Sequence, residues 1–314
     1  MTASYRAINY TLRPSKCVER KMLAEAFRRL ASFSPLESYW YIGFGSTYFS
    51  DFYLFHKTLN ISKMDSIEKD TGNKQRFEFN RPYQCIKLHF GSSTDVLPSL
   101  SLDKYRTIIW LDYDGTLVDD VLTDLQTVFG SVISGSIVLI SLNADPTEPA
   151  VDRLNNLKER LGSYKVPHSL KKTDFSKWGT AKIYRSIIQN EIEEILVNRN
   201  GGSSSQEEIL YQQLFNFHYD DRAKMLTVGG ILYSRDEQIK YQSANFNQLE
   251  FIKLSQDPYF IRVPNLTYRE LRYLDRCLPI VGTSSTKLPG VPSSDIQDYS
   301  KIYRYFPMFA EAEL

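Results

Sequence analysis

The sequence predicts a doubly wound α/β fold, in which an open and mostly parallel sheet carries helices on both faces. Short apolar runs recur along the first half of the chain, helical stretches separate them, and two glycines stand at the end of the first run. Runs rich in Ile, Val and aromatic residues are typical of buried strands. Alternation of such strands with helices indicates parallel strands joined by right-handed crossovers.

The predicted elements follow in a regular order. Five runs are expected as parallel strands: Tyr39–Phe44, Met64–Glu68, Cys85–Phe90, Thr107–Asp112 and Ile137–Leu142. Four helices alternate with them: Thr47–Leu59, Thr71–Asn80, Leu117–Phe129 and Ala150–Leu161. Two later runs, Lys224–Ser234 and Glu250–Val263, are expected to complete the sheet as an antiparallel pair. Ligands should then bind beyond the carboxyl ends of the parallel strands.

Around this sheet the chain divides into five expected segments. They are an N-terminal helical extension (1–35), a cofactor-binding core (36–164), a helical insertion with a flexible linker (165–205), the completion of the sheet (206–280) and a C-terminal loop or wrapping arm (281–314). The N-terminal helix is amphipathic, with Ser15 as its expected N-cap. Its basic residues form either an anion-binding face or, as we favour, a solvated surface: Lys16, Arg20, Lys21, Arg28 and Arg29.

Composition narrows the functional classes. The net charge of +1 gives no indication of nucleic-acid binding, and no apolar run is long enough to span a membrane. The N-terminus lacks the apolar core of a signal peptide, and the three cysteines are far apart, so we expect a cytoplasmic protein. No His or Cys spacing indicates a metal site. A protein partner or a second copy of the chain stays open as an assembly partner.

A glycine turn follows the first predicted strand, in the sequence YIGFGST. Glycine lets the backbone turn sharply and approach a ligand closely, because no Cβ intervenes. The residues expected to bind a nucleoside-containing cofactor here are Gly43, Phe44, Gly45 and Ser46. Dinucleotide sites carry a third small residue where this chain has Tyr48, so the turn favours a ligand without a pyrophosphate.

Two further strand ends extend the predicted cofactor site. Glu68 ends the second strand, where a carboxylate can accept hydrogen bonds from ribose hydroxyls; the alternative is a solvated glutamate. Gly91, Ser92 and Ser93 follow the third strand and are candidates for contacts with the base. The two serines are equally suited to capping the next helix.

These motifs resemble those of class I S-adenosylmethionine-dependent methyltransferases: the glycine turn, the acidic strand tip, GSSTDVLP and DYDG. The closing antiparallel pair is also typical of that fold. More narrowly, several segments are similar to a bacterial family of O-methyltransferases: LRPSKCVERKML, YIGFGSTYFSDFYLFHKTLNI, SIEKD and RFEFNRP. The resemblance implies S-adenosylmethionine as the cofactor and methyl transfer to an acceptor that the sequence does not identify. One departure is Ser92, which stands where many class I enzymes have an acidic residue.

The fourth predicted strand ends in WLDYDGTL, which places two carboxylates where the methyl group would be transferred. Asp112 and Asp114 are therefore the candidate catalytic residues, and Asp112 is also a candidate cofactor contact. They would orient the acceptor, act as a base, or hold a divalent metal together with Asn143 and Asp145.

Two other functions compete with the methyltransferase interpretation. The DxDGTL segment also resembles the nucleophile loop of haloacid-dehalogenase-type phosphatases, with Asp112 as the nucleophile. That nucleophile follows the first strand of its domain, whereas three strands precede Asp112 here, so we favour methyl transfer. A third hypothesis is a catalytically silent methyltransferase-like subunit that binds or regulates within a multi-protein system. Methyl transfer depends mostly on positioning, so activity can be lost while binding remains.

Overall fold

A computed structural model describes residues 13–202, 204–279 and 287–307. Its strands are β1 (Trp40–Gly43), β2 (Lys63–Glu68), β3 (Ile86–Phe90), β4 (Thr107–Asp112), β5 (Ser136–Asn143), β6 (Ile209–Asp220), β7 (Lys224–Ser234) and β8 (Tyr259–Ile261). Its α-helices are α1 (Pro14–Arg28), α2 (Ser50–Leu59), α3 (Lys74–Asn80), α4 (Ser93–Val96), α5 (Asp119–Ser131), α6 (Arg153–Leu161), α7 (Gly179–Asn200), α8 (Gln238–Ser243), α9 (Tyr268–Cys277) and α10 (Ser293–Ile302).

The described strands form one sheet in the order β3-β2-β1-β4-β5-β7-β6-β8. Strands β1 to β5 pair in parallel, while β7 runs antiparallel to both of its neighbours, β5 and β6. Strand β8 is parallel to β6 at the edge. The predicted doubly wound sheet, with five parallel strands and an antiparallel pair, is therefore confirmed.

The members of the antiparallel pair differ from the expectation. The segment Glu250–Val263 contributes only the short strand β8, and the partner of β7 is β6, which the sequence analysis missed. Polar side chains interrupt the apolar run of β6, among them Gln213 and Asn216, which are buried. Their amide nitrogens donate to backbone carbonyls in residues 253–256, so the neighbouring segment satisfies these buried donors.

Helix α7 is the crossover between the parallel strands β5 and β6. The sequence predicts an insertion here, because the polar positions of β6 conceal the strand to which this helix leads. The helix packs on the sheet through residues such as Ile183, Ile187 and Ile192, as crossover helices do. Within the described ranges, no helix combines the length and the apolar character that crossing a membrane requires.

Side chains of the central strands alternate between two cores, one on each face of the sheet. On β4, Ile108 and Trp110 enter the core beneath α1 and α2, whereas Ile109 and Leu111 enter the core beneath α5, α6 and α7. This alternation is why strand runs such as TIIWLD are apolar at nearly every position. Helices α1 and α2 thereby lie on the same side of the sheet, next to the turn that follows β1.

Helix α1 is capped by a residue from a distant part of the chain. The helix begins at Pro14, one residue earlier than the expected Ser15 cap, and its own N-cap residue, Arg13, makes no side-chain cap. Asp221, in the β6–β7 turn, accepts hydrogen bonds from the backbone N–H groups of Ser15 (3.2 Å) and Lys16 (3.0 Å). A carboxylate at a helix N-terminus also interacts favourably with the helix dipole. The hairpin therefore fixes the start of α1.

The C-terminal region contains more regular structure than expected. Helix α10 lies in the segment predicted to be a loop or wrapping arm, and it packs against α9 through Leu271, Leu274, Ile296 and Tyr299. Helix α9 begins with a capping box between Thr267 and Glu270. Residues 281–286 and 308–314 of the predicted arm lie outside the described residues.

Replacing Asp221 with alanine should lower the free energy of unfolding by about 1–2 kcal/mol, since two N–H groups of α1 lose their acceptor. The measurement is chemical denaturation at neutral pH. Asp220→Ala provides the matched control, because this neighbouring aspartate is exposed and its removal should change stability little. Equal losses from the two variants would contradict a capping role for Asp221.

Candidate active site

The turn after β1 is tightly wound. Ser46 (φ 49°) and Phe49 (φ 46°) both adopt the left-handed backbone conformation that non-glycine residues rarely occupy. A Cβ on Gly45 would lie 2.5 Å from the Phe49 ring and 2.7 Å from the hydroxyl of Ser66, so only glycine fits. Helix α2 consequently starts at Ser50 instead of the predicted Thr47. Backbone strain of this kind is retained mainly at functional sites.

Glu68, at the carboxyl end of β2, is bound directly to this turn. Its Oε1 accepts hydrogen bonds from the N–H of Gly45 (3.1 Å) and the hydroxyl of Ser66 (2.7 Å). Its other oxygen, Oε2, accepts no hydrogen bond from the described residues. The side chain is buried, and this burial raises the pKa of Glu68 to about 8, although the bonds from Ser66 and Gly45 act in the opposite direction. Glu68 is therefore fixed in position with one oxygen available to a ligand.

The end of β3 lies beside Glu68, since the N–H of Gly91 donates to the Glu68 carbonyl. The hydroxyl of Ser92 accepts from the N–H of Asp95 and caps α4, so the structure favours the capping interpretation for this serine. Ser93 lies next to Tyr113 and Asp124, where the Tyr113 hydroxyl donates to the Asp124 carboxylate. Gly91 is thus left as the member of this group nearest to Glu68.

Phe44 links the glycine turn to the end of β4. Its ring meets the ring of Tyr113 edge to face, with the centroids 5.1 Å apart. Gly43, on the neighbouring strand β1, lies opposite Trp110 of β4 in the sheet register. The predicted turn residues and the fourth-strand carboxylates therefore belong to one edge of the sheet.

Asp112 is engaged in an ion pair that the sequence analysis did not predict. Its Oδ1 lies 2.7 Å from the Nζ of Lys16, which is fully buried on α1 and also lies 2.9 Å from Glu19. The ammonium lies 4.2 Å from the centroid of the Trp110 ring, in a cation–π contact. Burial is the largest influence on Asp112 and opposes its ionisation, but Lys16 together with the nearby Arg13 and Arg20 outweighs it and lowers the pKa of Asp112 below its ordinary value.

This ion pair restricts the chemistry available to Asp112. A carboxylate with a lowered pKa is a weak proton acceptor, so the structure disfavours the predicted role as a base. The metal alternative is also disfavoured, because Asp145 lies 3.6 Å from Arg153 and 3.4 Å from Lys224. Of the described residues, no cluster of three or more His, Cys, Asp and Glu could hold a metal ion. Asp114 is exposed, and its catalytic role stays a prediction.

A solvated surface is expected for the basic residues of α1; Arg28 is exposed, but the expectation is wrong for Lys16 and Arg20. Lys16 and Glu19 are fully buried and Arg20 is 9% exposed. A signal was present in the sequence: Lys16 and Arg20 continue the helical stripe of Leu23 and Phe27, which packs into the core. Charged residues that extend a buried stripe point towards a polar site beneath the helix.

A second buried polar group lies beside these α1 residues. The hydroxyl of Tyr41, on β1, donates to Asp51 in the first turn of α2. Burial raises the pKa of Asp51, and the nearby Arg20 guanidinium opposes that rise. A Cβ on Gly43 would lie 2.7 Å from the Tyr41 hydroxyl, so this group lies directly under the glycine turn.

Comparison with known protein families identifies the chain. A family model described as "Putative O-methyltransferase" matches residues 8–314. The chain belongs to this family. The match extends well beyond the segments that carried the resemblance in the sequence, and it confirms the resemblance to methyltransferases. No curated protein matches the sequence.

Solved structures show distant similarity. LepI in complex with SAM is 13% identical, with a TM-score of 0.36, and the alignment covers 66% of this chain and 46% of that one. Cofactor-bound Rv0187 from MTB is 9% identical (67% and 78% covered, TM-score 0.36). Spermidine synthase from Thermotoga maritima is 10% identical (78% and 67% covered, TM-score 0.39). The chain thus spans about half the length of LepI, and scores this low carry no functional information.

Lys16→Met should lower the free energy of unfolding by about 3–5 kcal/mol, because the fully buried Glu19 and the partly buried Asp112 would both lose their counter-charge. Chemical denaturation at neutral pH measures the loss. Lys69→Met, at an exposed lysine, is the control and should change stability little. The double variant Lys16→Met with Asp112→Asn should recover part of the loss, and no recovery would contradict the pairing.

Glu68→Gln should stabilise the ligand-free protein at high pH. The raised pKa of Glu68 means that the native state holds this proton more tightly than the unfolded chain does. Wild-type stability should therefore fall as the pH rises from 4.5 to about 8, whereas glutamine has no charge to lose. Denaturation at pH 9 should show the variant more stable, on the order of a few kcal/mol, with near equality at about pH 4.5. A variant less stable than wild type at pH 9 would argue against a buried, strained carboxylate.

Proposed function

We propose that this protein is an S-adenosylmethionine-dependent O-methyltransferase, with the cofactor bound over the carboxyl ends of β1, β2 and β3. The observation that carries the proposal is Glu68: a buried carboxyl group, fixed by Gly45 and Ser66, whose Oε2 has no partner among the described residues. A ribose presents two adjacent hydroxyls that require such an acceptor. Membership of the family supports methyl transfer, and the family name supports an oxygen acceptor.

The chain's own residues fit the cofactor in three places. Glu68 would accept from the ribose hydroxyls, and the compact turn at Gly43 and Gly45 would let the ligand approach the backbone. The Ser92 hydroxyl caps α4 and is therefore not available to the base. The backbone around Gly91 would border the base instead. When bound, S-adenosylmethionine supplies a methyl group on a positively charged sulfur.

The remaining chemistry falls to the end of β4. Methyl transfer is an in-line displacement, so the chain must chiefly orient the acceptor and exclude water. Asp112, kept ionised by Lys16 and the nearby arginines, would orient the acceptor molecule through its fixed negative charge, while the acceptor hydroxyl would donate its hydrogen bond to Asp114. Asp114 would receive the proton from that hydroxyl, which is the role that its exposed position permits.

The phosphatase alternative is disfavoured by the same geometry. An aspartate nucleophile beside Mg²⁺ needs an open approach, whereas Asp112 is paired with a buried ammonium at 2.7 Å.

A location in the bacterial cytoplasm is part of the proposal, supported by the free thiols of Cys17, Cys85 and Cys277. Assembly with a protein partner or with a second copy of the chain also stays a proposal.

Isothermal titration with S-adenosylhomocysteine tests the proposal. We expect the wild type to bind, and we expect Glu68→Gln to bind about 10- to 100-fold more weakly because an amide nitrogen cannot accept from a ribose hydroxyl. Glu78→Gln, at an exposed position on α3, should bind as the wild type does.

Absence of binding by the wild type to both S-adenosylmethionine and S-adenosylhomocysteine would refute the proposal. Formation of S-adenosylhomocysteine in the presence of a panel of hydroxyl, amine and thiol compounds then separates an enzyme from a silent binding subunit. Turnover with amines or thiols but with none of the hydroxyl compounds would contradict O-methylation.

A further inference from the structure

Among the described residues, Arg20 is a buried cation with no direct partner. It is 9% exposed, and its Nε is buried with no hydrogen-bond partner. In the part of the chain that the structure describes, its guanidinium forms no ion pair within 4.0 Å and donates no hydrogen bond. Lys16, one turn earlier on α1, lies within 2.9 Å of two carboxylates. Lys16 is therefore paired with carboxylates, whereas Arg20, on the same face of α1, is paired with none of the described ones.

The charged surroundings of Arg20 come from three elements besides α1. Asp51 on α2 and Asp112 on β4 are both close enough for Arg20 to lower their pKa values, although burial leaves Asp51 with a raised pKa. Tyr41 on β1 donates to Asp51, and Lys16 donates to Oδ1 of Asp112. Arg20 thus lies near two carboxylates but is paired with neither.

A buried guanidinium needs an anion to offset the cost of removing it from water. The planar guanidinium has five N–H donors and can bind a carboxylate through two parallel hydrogen bonds. No other common side chain fits a carboxylate as well in this bidentate geometry. Asp51 and Asp112 supply acceptors close by, which suit an ammonium group. A guanidinium with unused N–H donors can bind the α-carboxylate of a zwitterionic amino acid. A carboxylate beside that guanidinium can bind the α-ammonium group.

The residues around Arg20 and the predicted ribose site lie at the same turn, so a single ligand can contact both. Glu68 contacts the turn through Gly45, whereas Tyr41 and Asp51 lie under the same turn at Gly43. A ligand that crosses the turn would therefore meet Glu68 at one end and Arg20 at the other. S-adenosylmethionine has this form, with a ribose and an amino-acid end joined through the sulfur.

We propose that Arg20 binds the α-carboxylate at the amino-acid end of S-adenosylmethionine, and that Asp51 accepts from the α-ammonium. This assignment rests on the proposed function, since it names contacts in the same site. It makes the N-terminal helix α1 part of the cofactor site. A carboxylate on the methyl acceptor has the same chemistry, and the experiment below separates these two sources.

The test compares ligands that share the adenosine part but differ at the other end. S-adenosylhomocysteine carries the whole amino acid, its decarboxylated analogue lacks the carboxylate, and 5′-methylthioadenosine lacks the amino acid altogether. Arg20→Gln should weaken binding of S-adenosylhomocysteine about 10- to 100-fold, the effect of losing charge-assisted hydrogen bonds. Its affinity for the other two ligands should match that of the wild type. Arg28→Gln, at an exposed arginine of α1, should leave all three affinities unchanged.

The outcomes separate the inference from the proposed function. Equal loss for all three ligands would show a merely structural role for Arg20, and an unchanged affinity for S-adenosylhomocysteine would show that the cofactor is not the source of the carboxylate; either result overturns the inference. Failure of the wild type to bind any of the three refutes the proposed function, and the inference falls with it. If Arg20→Gln does not fold, the wild type still decides: equal affinity for S-adenosylhomocysteine and its decarboxylated analogue would overturn the proposal.

Discussion

The ion pair between Lys16 and Asp112 determines where α1 lies on the sheet. A buried ammonium is costly without counter-charges, and this one reaches Asp112, Glu19 and the face of Trp110 in a single position. Because the helix is rigid, fixing Lys16 also fixes Arg20 one turn later. The N-terminal helix is consequently a wall of the candidate site as well as a cover for the apolar core.

Most of the fold could be predicted from the sequence because central parallel strands are buried on both faces. Runs such as that of β5, SIVLISLN, are apolar at almost every position and therefore easy to recognise. Strand β6 has no such signal, since Gln213 and Asn216 are buried with their amides bound to carbonyls elsewhere. Those carbonyls are distant in the sequence, so a local sequence pattern does not reveal them.

The residues of the candidate site also divide into those that could be predicted from a local sequence pattern and those that could not. Gly43, Gly45 and Glu68 could be predicted because each stands at a strand end, where its residue type has a specific chemical use. Arg20 could not, since a helical pattern gives the face on which a residue lies but not what covers that face. The role expected of Asp112 changed for a related reason: the lysine that lowers its pKa comes from a helix 96 positions away in the chain.

The cap on α1 has a consequence for the order in which the molecule can be assembled. Asp221 and Ser15 are separated by 206 positions, so the first helix receives its N-terminal acceptor only after the β6–β7 turn has been synthesised. During translation the parallel strands can pair while α1 still lacks this anchor. The ability to bind a ligand beneath α1 should therefore arise late, once the β6–β7 hairpin has paired with β5 at the edge of the parallel sheet.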